Sequence, residues 1–144
     1  MPDMFQRRPR VQAQVLDSLR DVRLVDGKIC WADQKALVFG GDAKYARTNR
    51  PVYVIRFERE LAYVLPATTK RENKWFRVCI EYCVGGGTGL KKDTYLSPRI
   101  QTIRKTDIGR FICVLTPFGQ AMLVQWLRDI LHNVSGHDSG MTLT

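Results

Sequence analysis

Histidine is scarce in this chain: His132 and His137 are the only two, both at the C-terminal end. A Ser-His-Asp or Cys-His mechanism would have to recruit one of them, and no His, Asp or Glu cluster has metal-ligand spacing, so triad hydrolysis and metallonuclease chemistry both lack support. No cofactor or metal is expected. The four cysteines, Cys30, Cys79, Cys83 and Cys113, show neither zinc spacing nor a C-x-x-C. Three of them lie in apolar, strand-like runs, where a thiol acts as a small hydrophobe. No apolar segment is long enough to span a bilayer, and the opening MPDMFQRRPR lacks the apolar core of a signal peptide. Together these features predict a reduced, cytoplasmic setting with no membrane partner. Acidic residues are also short: 14 Asp and Glu face 23 Lys and Arg, a net charge of +9. That balance favours polyanions, with nucleic acid ahead of membrane.

With 144 residues, the chain can bury a core as one domain. Its centre is the stretch from Arg47 to Arg71. Two apolar runs, Pro51–Phe57 and Leu61–Ala67, rich in Val, Ile and Tyr, are joined by Glu58, Arg59 and Glu60. This pattern predicts a tight antiparallel hairpin. The ends of such a pair lie side by side, so Arg50 should meet Thr68 or Thr69 at one rim of a small barrel. A guanidinium, one or two hydroxyls and nearby basic side chains suit a phosphate diester.

Residues 1–24 read as a basic arm followed by a short amphipathic helix, with Val11, Val15, Leu19 and Val22 at helical spacing and simple packing against the domain as its role. The domain proper spans 25–134, and a polar tail covers 135–144. A Gly-led turn opens a first strand, Lys28–Ala32. The long connection Asp33–Asn49 carries Gly40, Gly41, Lys44, Tyr45 and Arg47, basic residues around an aromatic ring, a combination suited to single-stranded nucleic acid. After the hairpin, Trp75–Tyr82 reads as a strand with Phe76, Val78, Ile80 and Tyr82 on one face. Gly85–Gly89 has neither the phosphate-loop nor the dinucleotide-binding spacing and reads as a flexible turn. Asp93–Ile103 reads as a strand kinked at Pro98, Arg104–Arg110 as a turn and Phe111–Leu115 as a strand. Thr116 and Pro117 then start a helix, with Met122, Leu123, Trp126, Leu127, Ile130 and Leu131 as a core or subunit-interface stripe.

Without a metal or histidine centre, the chemistry open to this chain is metal-free attack on a phosphodiester. RNA supplies its own nucleophile, the 2′-OH, and needs only charge stabilisation at phosphorus and help with proton movement. Arg50 could clamp the phosphate and the Thr68 hydroxyl could donate to a non-bridging oxygen. The competing structural reading pairs Arg50 with an acid and leaves Thr68 capping a strand end.

The order of motifs resembles the MazF/PemK (Kid) family of toxin endoribonucleases. The resemblance rests on GKICWAD after a glycine, a long Gly-containing loop running into RPVYVI, then VLPATT, then GLKKDTYLSPRIQTIRKTDIGR, and a last short strand with Thr before a terminal helix. It covers roughly 25–132, and it is the order and spacing that make it specific. It implies a mainly β, SH3-like small barrel of the MazF/PemK/CcdB type with a C-terminal helix (an α+β chain), here extended by the N-terminal helix. It further implies a homodimer binding single-stranded RNA in its groove and a cognate antitoxin protein, expected to be acidic. Arg50 and Thr68 fall on the family's catalytic Arg and Thr. Lys44, Tyr45, Arg47, Thr69, Lys70 and Arg71 would line the RNA path, and Gly40–Asn49 corresponds to the loop that closes over substrate.

The later family motif departs from pattern: Arg99-Ile100-Gln101-Thr102-Ile103-Arg104-Lys105 places Gln101 before Thr102 and Arg104 where an acid is usual. Leu96 and Pro98 occupy the positions of an Arg and an Asp used in one branch, so that acid–base pair is missing. Arg99 is the residue available to replace the displaced arginine in RNA binding. Two other readings fit the same scaffold: a nucleic-acid-binding adaptor without catalysis, and a gyrase-poisoning type of toxin that acts through a protein contact near its last helix.

Overall fold

The computed structural model describes residues 13–33, 36–37, 49–68, 75–84, 90 and 93–136. Within them, a helix over 13–19 (α1) and a 3-10 turn, Val22–Leu24, precede β1, Lys28–Asp33. The central hairpin forms as its pattern predicts, with β2 at Asn49–Glu58 and β3 at Leu61–Thr68. Glu58 pairs directly with Leu61, so the connection is the two-residue turn Arg59-Glu60, with Arg59 at φ 55°. There follow β4 (Phe76–Val78), β5 (Cys83–Val84), β6 (Thr94–Leu96), β7 (Gln101–Arg104), β8 (Ile108–Leu115) and the long helix α2 (Pro117–Gly136).

The sheet runs β4-β6-β3-β2-β1-β8-β5, and β7 shares an edge of β3 with β6. Six strand steps of about 4.8 Å would set the two edge strands about 29 Å apart in a flat sheet. Yet only residues 79–82 separate the end of β4 from the start of β5, a connection that reaches at most about 18 Å. The sheet is therefore curled into a half-barrel, and with the single C-terminal helix this is the mainly β architecture expected from the sequence.

Alternation along the strands sorts side chains onto two faces. Inside the curl, Tyr53, Ile55, Leu65, Ala67, Leu96 and Ile112 pack with Leu123, Leu127 and Leu131 of α2. On the other face Ala32, Val52, Val54, Ala62, Val64 and Ile103 form a smaller cluster with Leu37. A bulge between Val54 and Arg56 in the β2–β3 pairing shifts the alternation at the far end of the hairpin. Arg56 and Tyr63 there face α1: Arg56 Nη1 donates to the Gln14 carbonyl (3.1 Å) and to Ser18 Oγ (3.1 Å), and the Tyr63 hydroxyl bonds Gln14 Oε1. Val15 and Leu19 are buried in the main core, so α1 packs against the domain.

Gly27, at φ 82°, makes the turn into β1. A Cβ there would stand 2.6 Å from Gln120 Nε2, the side chain that accepts the Tyr53 hydroxyl bond at 2.7 Å, so turn and core fix this glycine together. The α2 start also follows the sequence signal, with Pro117 in the first turn and Thr116 Oγ1 accepting the Gly119 N–H at 3.1 Å.

Five expectations are corrected. The turn expected over Arg104–Arg110 is confined to Lys105–Asp107, because Arg104 belongs to β7 and β8 begins at Ile108, which pairs with Ala32 of β1. Trp75–Tyr82 is not one strand: β4 stops at Val78, and Ile80–Tyr82 is a 3-10 turn in which Asp93 Oδ1 accepts the Ile80 N–H (3.1 Å) and the Cys79 carbonyl accepts the Tyr82 N–H (3.0 Å). Ile80 is consequently exposed. Asp93–Ile103 is two strands, because Ser97 N–H turns to the Pro66 carbonyl (2.9 Å) and Arg99 N–H to Ser97 Oγ (3.2 Å), breaking the ladder around Pro98. Within the α2 stripe Met122 is exposed while Leu123, Leu127 and Leu131 are buried. Last, Cys83 and Cys113 are not separate thiols but a disulfide, their Cα atoms 5.6 Å apart. The β5–β8 pairing of Cys83 with Leu115 puts Cys113 diagonally opposite. Cys30 and Cys79 remain free.

Candidate nucleic-acid interface

Arg50 is the second residue of β2, half-buried, with its backbone paired to Ala32 of β1. Its Nη1 donates to the Ala67 carbonyl at 3.3 Å. The β2–β3 register, Val52 with Pro66 and Tyr53 with Leu65, brings the start of β2 alongside the end of β3. Arg50 shares the parity of Val52 and Val54, so it belongs to the sheet face away from the main core. Thr68 closes β3, its backbone paired with Tyr95 of β6; its side chain lies outside the described residues.

Arg99 is exposed in the turn after β6. The Ser97–Pro66 backbone bond ties that turn to the same end of β3. The structure therefore sets Arg50 beside the end of β3 at one rim, with the Arg99 turn further along the β3 edge, next to Pro66. Lys44, Tyr45, Arg47, Thr69, Lys70 and Arg71 lie outside the described residues.

The altered family motif forms β7, paired to β3 as Tyr63 with Thr102 and Val64 with Gln101. Thr102, Ile103 and Arg104 line an open hollow of about 480 Å³ with Asp33, Ala36 and Asp107. Asp33 pairs with Asn49, so one residue lining the hollow is the strand partner of the residue before Arg50. Arg104, in place of an acid, donates weakly through Nε to Asp107 (3.5 Å) and presents a basic edge rather than a proton acceptor.

Two residues passed over in the sequence stand in the same row of strands. Tyr95 sits between buried Thr94 and Leu96, and Arg77 between buried Phe76 and Val78, so both turn from the core. They are register partners across β6 and β4. Asp93 Oδ2 accepts from Arg77 Nε at 2.9 Å and from Nη2, and the hydrogen bonds from Arg77 hold the Asp93 carboxyl below its ordinary pKa, with the Ile80 N–H adding to the effect. The alternation in DTYLS and WFRVC was the available signal; what the sequence lacked was the pairing that joins them. Among the described residues no three of His, Cys, Asp and Glu group closely enough to hold a metal ion, and no helix is long and apolar enough to cross a membrane.

No protein-family model and no curated protein matches the sequence. Solved structures do match in fold. The Mycobacterium tuberculosis toxin MazF-mt6 aligns with a TM-score of 0.52 at 20% identity, over 77% of this chain and 98% of its own. An endoribonuclease in complex with its cognate antitoxin, from a mycobacterial species, aligns with a TM-score of 0.49 at 14% identity, over 76% and 95%. The likeness to MazF-mt6 establishes that this chain has a MazF-like fold.

Proposed function

We propose that this chain, having a MazF-like fold, is the toxin of a type II toxin–antitoxin pair, an endoribonuclease that cuts single-stranded RNA without a metal by way of the RNA's own 2′-OH. The observation that carries the reading is the placement of Arg50 at the rim where β2 begins and β3 ends, with Nη1 already turned toward Ala67 beside Thr68. A guanidinium at that point can hold two phosphate oxygens at once and stabilise the charge that develops as the 2′-oxygen attacks phosphorus. The Thr68 hydroxyl donates to a non-bridging oxygen of the same phosphate. Lys44, Tyr45, Arg47, Thr69, Lys70, Arg71 and Arg99 guide the strand into the site by charge and stacking.

The overall basic charge supports an acidic antitoxin segment laid along the same surface; the reading also includes a homodimer whose groove takes the RNA. Messenger RNA as substrate calls for a cytoplasmic site of action; the reducing setting expected from separate thiols is not part of the reading, because Cys83 and Cys113 form a disulfide.

The test is incubation of the pure protein with a long single-stranded RNA in EDTA, beside Arg50→Ala. Fragments from the wild type alone, ending in 2′,3′-cyclic phosphate, are the expected result. Intact RNA in both lanes with binding retained would favour the adaptor without catalysis.

A second reading draws on a separate observation. Phe118 (65% exposed) and Met122 (44%) project from the first turns of α2, and both contact Tyr82, with the Phe118 and Tyr82 rings 6.0 Å apart. An apolar patch at the last helix suits a protein target of the gyrase-poisoning kind. A toxin of that kind would keep its effect without Arg50 and lose it with Phe118→Ser.

A further inference from the structure

The strands β2, β3, β6 and β4 lie side by side in that order. Along one line across them stand Arg50, the end of β3 at Ala67 and Thr68, then Tyr95, then Arg77. Arg50, Tyr95 and Arg77 all belong to the face opposite the main core. Two strand steps separate Arg50 from Tyr95, about 10 Å across the sheet, so a group held at Tyr95 belongs to a neighbour of whatever Arg50 holds.

Arg77 is not a loose surface charge. One oxygen of Asp93 takes both Nε and Nη2, while the other oxygen takes the Ile80 N–H at 3.1 Å. The guanidinium is thereby fixed beside Tyr95 with two of its five N–H donors used. A partly exposed tyrosine that turns away from the core, next to a fixed, planar donor, has the makings of a nucleobase site: the ring offers a stacking surface that any base can use, and the guanidinium offers N–H groups to a base edge or a phosphate.

We propose that Tyr95 is a stacking platform for an RNA base next to the scissile phosphate, with Arg77, positioned by Asp93, donating to the same nucleotide. This rests on the RNA-cleaving reading above and adds to it the direction of the strand, running across β2, β3, β6 and β4 rather than along them.

The experiment is fluorescence anisotropy of a labelled eight-nucleotide 2′-O-methyl RNA, which cannot be cut through the 2′-OH, with wild type, Tyr95→Phe and Tyr95→Leu over a salt series. Stacking on an aromatic side chain is worth about 1–3 kcal/mol per base. Tyr95→Leu should therefore weaken binding at least about fivefold at every salt concentration, with an unchanged slope of log affinity against log salt, since no phosphate contact is lost. Tyr95→Phe should stay within about twofold. Thermal melting of each variant guards against a folding defect, and Tyr95→Trp, which enlarges the ring, should bind at least as well as wild type. Wild-type affinity in folded Tyr95→Leu would overturn the platform alone and leave the RNA reading standing, as would a Tyr95→Phe variant as weak as Tyr95→Leu. Failure of the wild type to bind RNA at any salt concentration would overturn the RNA reading, and the platform with it.

Discussion

Arg50 at the start of β2 donates through Nη1 to the carbonyl oxygen of Ala67, 17 residues on and next to the end of β3. A long, charged side chain is held against the hairpin at the rim instead of trailing in solvent, so less rotamer freedom remains to be lost when a phosphate binds.

The first prediction concerns that side chain. Arg50→Ala should lower the RNA cleavage rate about 10²- to 10³-fold, the loss typical of one removed transition-state donor. Arg50→Lys should recover little of it, because an ammonium cannot hold two phosphate oxygens in a planar fork. Single-turnover cleavage rates decide the matter, and an Arg50→Lys variant at wild-type rate would show that charge alone suffices.

The Cys83–Cys113 disulfide closes a loop with a sequence separation of 30. Loop-closure entropy for that length corresponds to about 3–4 kcal/mol of stability. Urea melts with and without a thiol reductant should differ by an amount of this order, and Cys83→Ser should melt like the reduced wild type in either condition. Because reduced and oxidised forms differ in this way, stability will depend on the redox state of the surroundings.

Asp93 gives a pH prediction. Its carboxyl is held below the ordinary carboxylate pKa, first by the hydrogen bonds from Arg77 and then by the Ile80 N–H. A folded pKa below the unfolded one means that the stabilising contribution is complete above the unfolded value, about 3.9. It is lost as the pH falls from there through the lowered folded value. An NMR titration of the Asp93 carboxyl should show the depressed midpoint in wild type and one nearer to ordinary in Arg77→Gln.

The N-terminal helix should be an integral part of the folded domain. Leu19, 1% exposed, lies in the main core, and its carbonyl accepts from Arg128 of α2. Leu19→Ala should cost about 2–5 kcal/mol in a denaturant melt. A change below about 0.5 kcal/mol would mean that α1 only rests on the surface.

Much of this architecture can be read from local pattern. Alternating Val, Ile and Tyr on either side of Glu58-Arg59-Glu60 define the hairpin, and Thr116-Pro117 define the start of α2, because strand pairing across a tight turn and helix capping are decided within a few residues. The meeting of the start of β2 with the end of β3 follows from the same short-range logic, since antiparallel register carries a turn's geometry out to both strand ends.

What local pattern could not supply were the partners brought from a distance. WFRVCIEY alternates like a strand throughout, yet it stops at Val78 because Asp93 captures the Ile80 N–H. Cys83 and Cys113 become a disulfide only once β5 lies against β8. Tyr95 reads as one more strand residue until the pairings to Thr68 and Arg77 set it in line with Arg50. The sequence by itself determined the hairpin, the helix start, the basic charge and the pair Arg50 and Thr68 as candidates; the tertiary structure alone decided the two broken strands, the disulfide and the row across four strands. The division is physical: turns and caps are settled by neighbours in the chain, whereas register between distant strands depends on how a curled sheet closes around its core.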